Sequence, residues 1–431
     1  MQESPRGEMV DTKDLKSLPA REWQFESVRG HQILNMIENK KSILLLFKER
    51  KKETPNSFFY ERKFSREYNT SIIYISDYLN KNNHVIAKII NTIIEEKKIS
   101  IVLFEGDHIS IFDSKFIKLI SSKVKKGLFL QDDYMYHYIN RITASACDFV
   151  LSGCPLSVLK FQELGYKSFF LPVEADGAIF KDYGENKVHD VLFFGRVKNN
   201  RGKITKYLKE NGVNVIECGP YDKISDTPEK LARLINKSKI VLNFTESDNT
   251  SKKNNPISHF KYSYEMKGRV YFTGLCDTLC ISEYSPPNEL LFNNNEVPFF
   301  YNEIDCLSLI NNFLKNETKL VLATKKYRQK CSTFEDSNYI NKIKTFIDNN
   351  KNENFNVNIP YWYEFIFFKK NLMLRFRSNN LKSFFSQIFD SIFLTNYRSK
   401  FLIPFFLIYS LFSSIIFLLK FPIAKLKIWK N

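Results

Sequence analysis

The sequence predicts an α/β protein built from two Rossmann-like domains and closed by a C-terminal amphipathic and hydrophobic helical tail. Three observations carry this expectation. From about residue 40, short β-branched or aromatic apolar runs alternate with longer helical stretches, the signature of βα units around a parallel sheet. A polar stretch at 175–189, with Asp176, Gly177, Asp182, Gly184 and Asn186, interrupts the alternation, which then restarts. The last stretch, 361–431, has a composition of its own.

In the first series, strands are expected at 42–47, 71–77, 99–105, 127–131, 149–153 and 168–172. Between them, Val85, Ile86, Ile89, Ile90, Ile93 and Ile94 recur at helical spacing and predict a helix over 85–97. In the second series, strands are expected at 191–195, 213–219, 240–244, 270–273, 278–282 and 297–301, with helices near 203–211, 228–237 and 304–315. The Asn- and Lys-rich stretch 338–358 reads as a closing helix and connector. The expected domains are an N-terminal extension (1–39), a first Rossmann-like domain (40–175), a second (188–350) and a basic aromatic tail (361–431).

With 431 residues, 43% of them hydrophobic and 15% aromatic, the chain can fill two large cores, which excludes a disordered or collagenous protein. Its seven cysteines form no CxxC pair, and Cys276 and Cys280 have no histidine or second cysteine pair beside them to complete a zinc site, so packed reduced thiols and no metal are expected. Residues 1–24 hold no apolar stretch of signal-peptide length, which points to the cytoplasm.

The net charge is +17, but residues 361–431 alone carry 11 basic and 2 acidic residues and 20 of the 65 aromatics. Within that tail, Leu381, Phe384, Phe385, Ile388, Phe389, Ile392 and Phe393 repeat at helical spacing opposite polar residues. A 19-residue uncharged run follows at 401–419, about the length that spans a bilayer. This pattern predicts association with the inner face of the cell membrane through 371–431, by an anchor in one leaflet, a spanning helix or a helix buried on the body. The basic residues lie beside apolar helix rather than in a stacking platform, so no nucleic-acid partner is expected.

Open α/β sheets bind ligands at the carboxyl ends of their strands. After the strand at 191–195 come Gly195 and Arg196, then Arg201, Gly202 and Lys203 at a helix start, where free N–H groups and cations suit a phosphate. Asn243 ends a further strand, and Lys267, Gly268 and Arg269 precede the next apolar run. In the first half, Asp107 and His108 follow one strong strand and Asp132 and Asp133 another. Either a histidine or an aspartate there can act as general base, while Asp132 and Asp133 can equally cap the following helix.

At these residues the chain resembles the group 1 glycosyltransferases of the spore-maturation type, a GT-B fold family. The resemblance rests on Gly195 with Arg201, Leu242-Asn243, Lys267-Gly268-Arg269, Glu283 and Glu296. A fainter match covers Asp132-Asp133, the stretch 151–158 and Glu163-Leu164-Gly165, so that roughly residues 125–315 are included. The resemblance implies sugar transfer from a nucleotide-diphosphate donor, the co-substrate, with no further cofactor or metal, to a lipid-linked or glycan acceptor. It places Gly195, Arg196, Arg201, Asn243, Lys267, Arg269 and Glu283 on the donor, Glu283 toward the ribose hydroxyls. The chain departs from the pattern where the family has a glutamate after Lys-Gly-Arg-x-Phe: Phe272 stands there, and Asp277 stands at the family's usual glycine. Either Glu265 upstream takes the missing carboxylate's place, or donor handling is altered and the protein is catalytically silent.

Overall fold

Strand β1 (Ser42–Phe47) shows why the first series becomes a sheet. Ile43 to Phe47 are five consecutive apolar residues, all fully buried, the pattern of a parallel strand covered on both faces. The other strands are β2 (Asn69–Tyr74), β3 (Ile99–Glu105), β4 (Lys125–Leu130), β5 (Phe149–Ser152) and β6 (Ser168–Phe170). They pair in parallel in the order β2-β1-β3-β4-β5-β6. The connecting helices are α1 (Phe58–Ser65), α2 (Asn83–Glu96), α3 (Ser114–Leu119), α4 (Asp133–Thr143) and α5 (Pro155–Glu163). The spacing read for α2 is realised: Ile86, Ile90 and Ile94 are buried, and Asn82 caps the helix by accepting from the Val85 amide.

The second sheet comprises β7 (His189–Phe194), β8 (Val215–Cys218), β9 (Ser238–Asn243), β10 (Leu279–Glu283) and the two-residue β11 (Phe299–Phe300), all parallel, in the order β11-β10-β9-β7-β8. Its helices are α6 (Asn200–Glu210), α7 (Pro228–Asn236), α8 (Arg269–Leu275), α9 (Pro286–Glu289), α10 (Glu303–Leu314), α11 (Glu317–Cys331) and α12 (Asp336–Asn349). Both sheets run second strand, first strand, third strand, fourth, fifth. The order therefore reverses between β1 and β3 in one and between β7 and β9 in the other, and a crevice opens at the carboxyl ends of those strands.

This computed structural model describes residues 40–49, 57–106, 112–197, 200–219, 222–245, 266–350, 359–364, 366, 367, 371, 374 and 408. Asp107, His108, Glu265, the extension 1–39 and almost all of the tail, including 381–393 and 401–419 apart from Ile408, lie outside them. Among the described residues no helix is long and apolar enough to cross a membrane. The chain divides into 1–41, of which only Lys40 and Lys41 are described, and 42–431, which holds both sheets.

One expectation is overturned. Residues 270–273 form no strand but the middle of α8, whose residues from Val270 to Leu275 are all buried. A short run apolar on every side looks the same whether it becomes a buried strand or a buried helix. Here the helix is fixed from outside, because the Tyr327 hydroxyl of α11 donates to the Val270 carbonyl.

The polar stretch 175–189 is pinned rather than loose. Asp176 is fully buried and takes Arg62 Nε at 2.5 Å and Arg66 Nη2 at 3.1 Å. Four rings then run through this junction: Phe59 stacks on Phe180, Phe180 on Phe272 with centroids 4.3 Å apart, and Phe272 on Phe194. The closing helix α12 returns to the first sheet, where Phe346 stacks on Phe169 at 5.0 Å and Lys125 Nζ caps the helix end by donating to the Ile347 and Asp348 carbonyls. One hydrophobic cluster accordingly spans both domains.

The beginning of the expected tail belongs to the body. Tyr363 is 1% exposed, and its hydroxyl accepts from the Ser114 amide and bonds Thr143 Oγ1 at 2.8 Å. Glu364 pairs with Lys115 at 2.8 Å, and Phe367 joins Ile139 and Ile142 in a small core against α4. All seven cysteines are buried free thiols.

Candidate functional site

Between β7 and β9 the strand order reverses, and the residues past β7 are Gly195 and Arg196. Gly195 has φ +133°, a conformation that L side chains rarely adopt. Its bare backbone lies under the Arg269 guanidinium: a β-carbon there would sit 3.0 Å from Arg269 Nη2. Arg269 also lies over the Phe193 and Phe194 rings at 5.4 and 5.0 Å, so the sequence places an aromatic floor and a glycine beneath one cation.

Lys267 and Arg269 are the first residues of the segment entering α8, and Arg201 lies in the first turn of α6. Burial is the chief reason that Lys267 is pulled down to about 8. Asp132 opposes burial most strongly, the positive charges of Arg269 and Arg201 depress the ammonium further, and Glu174 adds a weaker upward pull. Arg269 is lowered to about 10, again first by burial and then by Arg201. Arg269 Nη1 is buried and has no hydrogen-bond partner among the described residues. Three cations held this close, one with an unused buried donor, form a site that an anion would stabilise.

Asp132 and Glu174 approach the cations from elsewhere in the chain. Asp132 sits at the start of α4, past the carboxyl end of β4, and acts on Lys267 across the crevice. Glu174 follows β6 and was not singled out by the sequence; its only signal is a carboxylate directly after the apolar Leu171-Pro172-Val173, two residues before Asp176. Burial pushes its carboxyl up, while Arg269 and Lys267 pull it back. Glu174 Oε2 lies so near the backbone of Gly268 that a β-carbon there would be 1.7 Å away. Gly268 is therefore the residue that lets the carboxylate reach the cation segment.

Glu283 ends β10 and is 7% exposed. Its Oε2 accepts from the Thr245 amide at 2.8 Å and the Thr245 hydroxyl at 3.2 Å, and its Oε1 lies 3.4 Å from Asn200 Nδ2 at the start of α6. The carboxylate thus ties β9, β10 and α6 together at the crevice. Asn243 is fully buried and donates to Ser282 Oγ at 2.8 Å, where Asn288 also donates, so its amide sits in a network beneath the strand ends. Arg196 is exposed.

On the first-domain side, Asp133 is fully buried and uses both oxygens, one with His137 Nδ1 at 2.7 Å and one with Asn140 Nδ2 at 2.8 Å. Neither Asp132 nor Asp133 caps α4 with a side-chain hydrogen bond. His137 was overlooked in the sequence, although the Asp133, His137, Asn140 spacing puts all three on one helical face. With Nδ1 held on a carboxylate, Nε2 is left as the proton-accepting nitrogen. Asp107, His108 and Glu265 lie outside the described residues, and among the described residues no group of His, Cys, Asp or Glu is arranged to hold a metal.

The fold and site define a two-domain α/β protein with a buried cluster of cations past the strand ends of the second sheet, acting on Asp132 and Glu174 of the first domain. No protein-family model and no curated protein matches the chain. Among solved structures it is similar to Anabaena HepE in complex with UDP and glucose, at 9% identity over 72% of this chain and 99% of that one, TM-score 0.49. It is also similar to sucrose-phosphate synthase from Thermosynechococcus elongatus, at 8% identity over 72% and 98%, TM-score 0.49. A Listeria monocytogenes protein described as a UDP-N-acetylglucosamine 2-epimerase matches at 13% identity over 74% and 100%, TM-score 0.45. These likenesses concern the course of the chain and assign no activity.

Proposed function

We propose that the chain is a glycosyltransferase similar to the spore-maturation type, moving a sugar from a nucleotide-diphosphate donor to a lipid-linked or surface-polysaccharide acceptor at the cytoplasmic membrane face. The observation that carries this reading is the convergence of Arg201, Lys267 and Arg269 at the end of β7, with Arg269 Nη1 buried and unpartnered among the described residues. In the reaction the bond from the sugar's anomeric carbon to the diphosphate oxygen breaks and its electron pair stays on the diphosphate. The acceptor oxygen bonds the same carbon and loses its proton to a base on the first-domain side, where Asp132, Asp107, His108 and the Asp133-held His137 are the candidates. Charge on the leaving diphosphate grows as the bond breaks, so cations fixed beforehand favour the transition state over the ground state without calling on a metal. The basic apolar tail would bring the body to the membrane surface.

A second reading, a silent protein that binds a nucleotide sugar or a partner enzyme at the membrane, is favoured by Phe272. Its ring is 5% exposed and occupies, among other rings, the place of the family's carboxylate.

Calorimetric titration with nucleoside diphosphates and their sugars tests both. We expect the wild type to bind a donor, and Arg269→Ala or Lys267→Ala each to weaken binding by about 1.5–3 kcal/mol, the range for hydrogen bonds to charged groups. Unchanged affinity in both variants would remove the phosphate site; tight binding without turnover of any sugar tried would favour the silent reading.

The same site sets a pH dependence. A bound diphosphate stabilises the Lys267 ammonium, so its bound-state pKa lies above the free-state value of about 8. Affinity for UDP is then full below about pH 8 and falls as pH rises beyond it. Lys267→Met should bind more weakly and lose that decline. A wild-type decline that persists in the variant would assign it to another group.

A further inference from the structure

We infer that Tyr301, laid against Tyr284, is the platform on which the nucleobase of the bound nucleotide stacks. The inference rests on the nucleotide reading above and names the part of that site which the cations do not reach.

The two tyrosines lie directly past the carboxyl ends of the last two strands. β10 pairs with β11 through Ser282 with Phe299 and Glu283 with Phe300, and the pairing continues one residue further as the Tyr284 amide donates to the Phe300 carbonyl at 2.9 Å. This register brings the next residues together: the Tyr284 and Tyr301 rings have centroids 5.2 Å apart and planes 30° apart. Tyr284 is held in place, its hydroxyl donating to Glu289 Oε2 at 2.7 Å and Phe299 packing edge-on at 6.0 Å. Among the described residues Tyr301 makes this ring contact and is 69% exposed. An aromatic face backed by a second ring and open to water suits a flat ligand, because stacking needs a rigid π surface and no fixed hydrogen-bond pattern.

Its position singles out the occupant. Asn200, at the start of the helix that carries Arg201, approaches Glu283 at 3.4 Å. One turn on, Lys203 Nζ pairs with Glu303 Oε1 at 2.7 Å, two residues after Tyr301. Hence the phosphate-side helix α6 and the Tyr301 segment face each other across the carboxyl edge of the sheet. The edge then presents, in order, cations around Arg269, the Glu283 carboxylate and two aromatic rings. That order matches the diphosphate, sugar hydroxyls and base of a nucleoside diphosphate.

The test compares inorganic pyrophosphate with the tightest-binding nucleoside diphosphate, by calorimetry on the full chain carrying Tyr301→Ala or Tyr301→Phe. Because Tyr301 is mostly exposed, neither change should disturb folding, which thermal unfolding checks directly. We expect Tyr301→Ala to lose on the order of tenfold in nucleotide affinity, within the range for one base on an aromatic ring. Pyrophosphate affinity should not change, and Tyr301→Phe should retain nucleotide binding. Equal nucleotide binding by Tyr301→Ala and wild type overturns the platform while leaving the nucleotide site standing. Equal losses for nucleotide and pyrophosphate also overturn it, since the residue would then act on the phosphates. Wild type that binds neither ligand overturns the platform and the proposed function together.

Discussion

Replacing Phe272 with glutamate, the residue that the family pattern puts there, is expected to unfold the protein or nearly so, rather than to improve transfer. The Phe272 ring is 5% exposed, stacks on Phe180 at 4.3 Å and on Phe194 at 5.9 Å, and meets Tyr271 edge-on. Removing a buried phenylalanine costs roughly 3–5 kcal/mol. A glutamate would leave part of that void and add a carboxylate with aromatic rings for neighbours, a further penalty of several kcal/mol unless the group stays protonated. The sum is comparable to the whole stability of about 5–15 kcal/mol usual for a folded protein. Phe272→Leu, which keeps most of the apolar volume, should stay folded and be less stable than wild type. Urea denaturation of the three proteins decides: a Phe272→Glu variant within about 1 kcal/mol of wild type would mean that the position can hold a charged carboxylate, and would return it to the donor site.

The second domain's order of motifs was legible because each lies at the end of an apolar run, and the ends of parallel strands are where ligands meet the chain. Gly195, Arg201, Lys267 and Arg269 could therefore be singled out without coordinates. Glu174, Asn200 and Thr245 could not, and His137 offered only its helical spacing from Asp133 and Asn140. Each matters through a partner distant in sequence or one turn away, and an isolated carboxylate or amide carries no periodic signal. The misread stretch 270–273 has the same origin: its neighbours on every side are apolar, so period 2 and period 3.6 are indistinguishable over four residues. At Glu283 the acidic residue was found, but its bonds to Thr245 and Asn200 depend on which strands become neighbours. The start of the tail looked continuous with the rest in composition, yet Tyr363 docks because Ser114 and Thr143 offer its hydroxyl a polar niche inside an apolar groove.

Asp336→Ala is expected to cost about 3–5 kcal/mol, the range for breaking a buried ion pair from one side. Lys63 on α1 and Asp336 at the start of α12 are both fully buried and pair at 2.5 Å, while Lys63 Nζ also donates to the Pro172 carbonyl. Burial raises the Asp336 carboxyl to about 6 and lowers the Lys63 ammonium, with each partner pulling the other back toward its charged form. Taking away the carboxylate leaves the ammonium with burial unopposed by its nearest anion, so Lys63 in the variant should titrate lower still. The variant's folded state then holds fewer protons than its unfolded state between that depressed value and the ordinary lysine range near 10.4, and its stability should climb as pH rises through the interval. Lys63→Met with Asp336→Leu removes both charges, and should recover most of the loss, because apolar pairs of similar volume commonly equal or exceed a buried ion pair. A double variant as unstable as Asp336→Ala would show that packing at the α12 start, not the charge, sets the cost. The pair matters beyond stability because it fixes the helix that carries the second domain's chain back to the first. Asp336 donates its amide to the Ala175 carbonyl, and the neighbouring Asp176 is gripped by Arg62 and Arg66. Loss of the pair should therefore loosen the junction one residue from Glu174, and nucleotide affinity in Asp336→Ala should fall in parallel with stability but recover with it in the double variant.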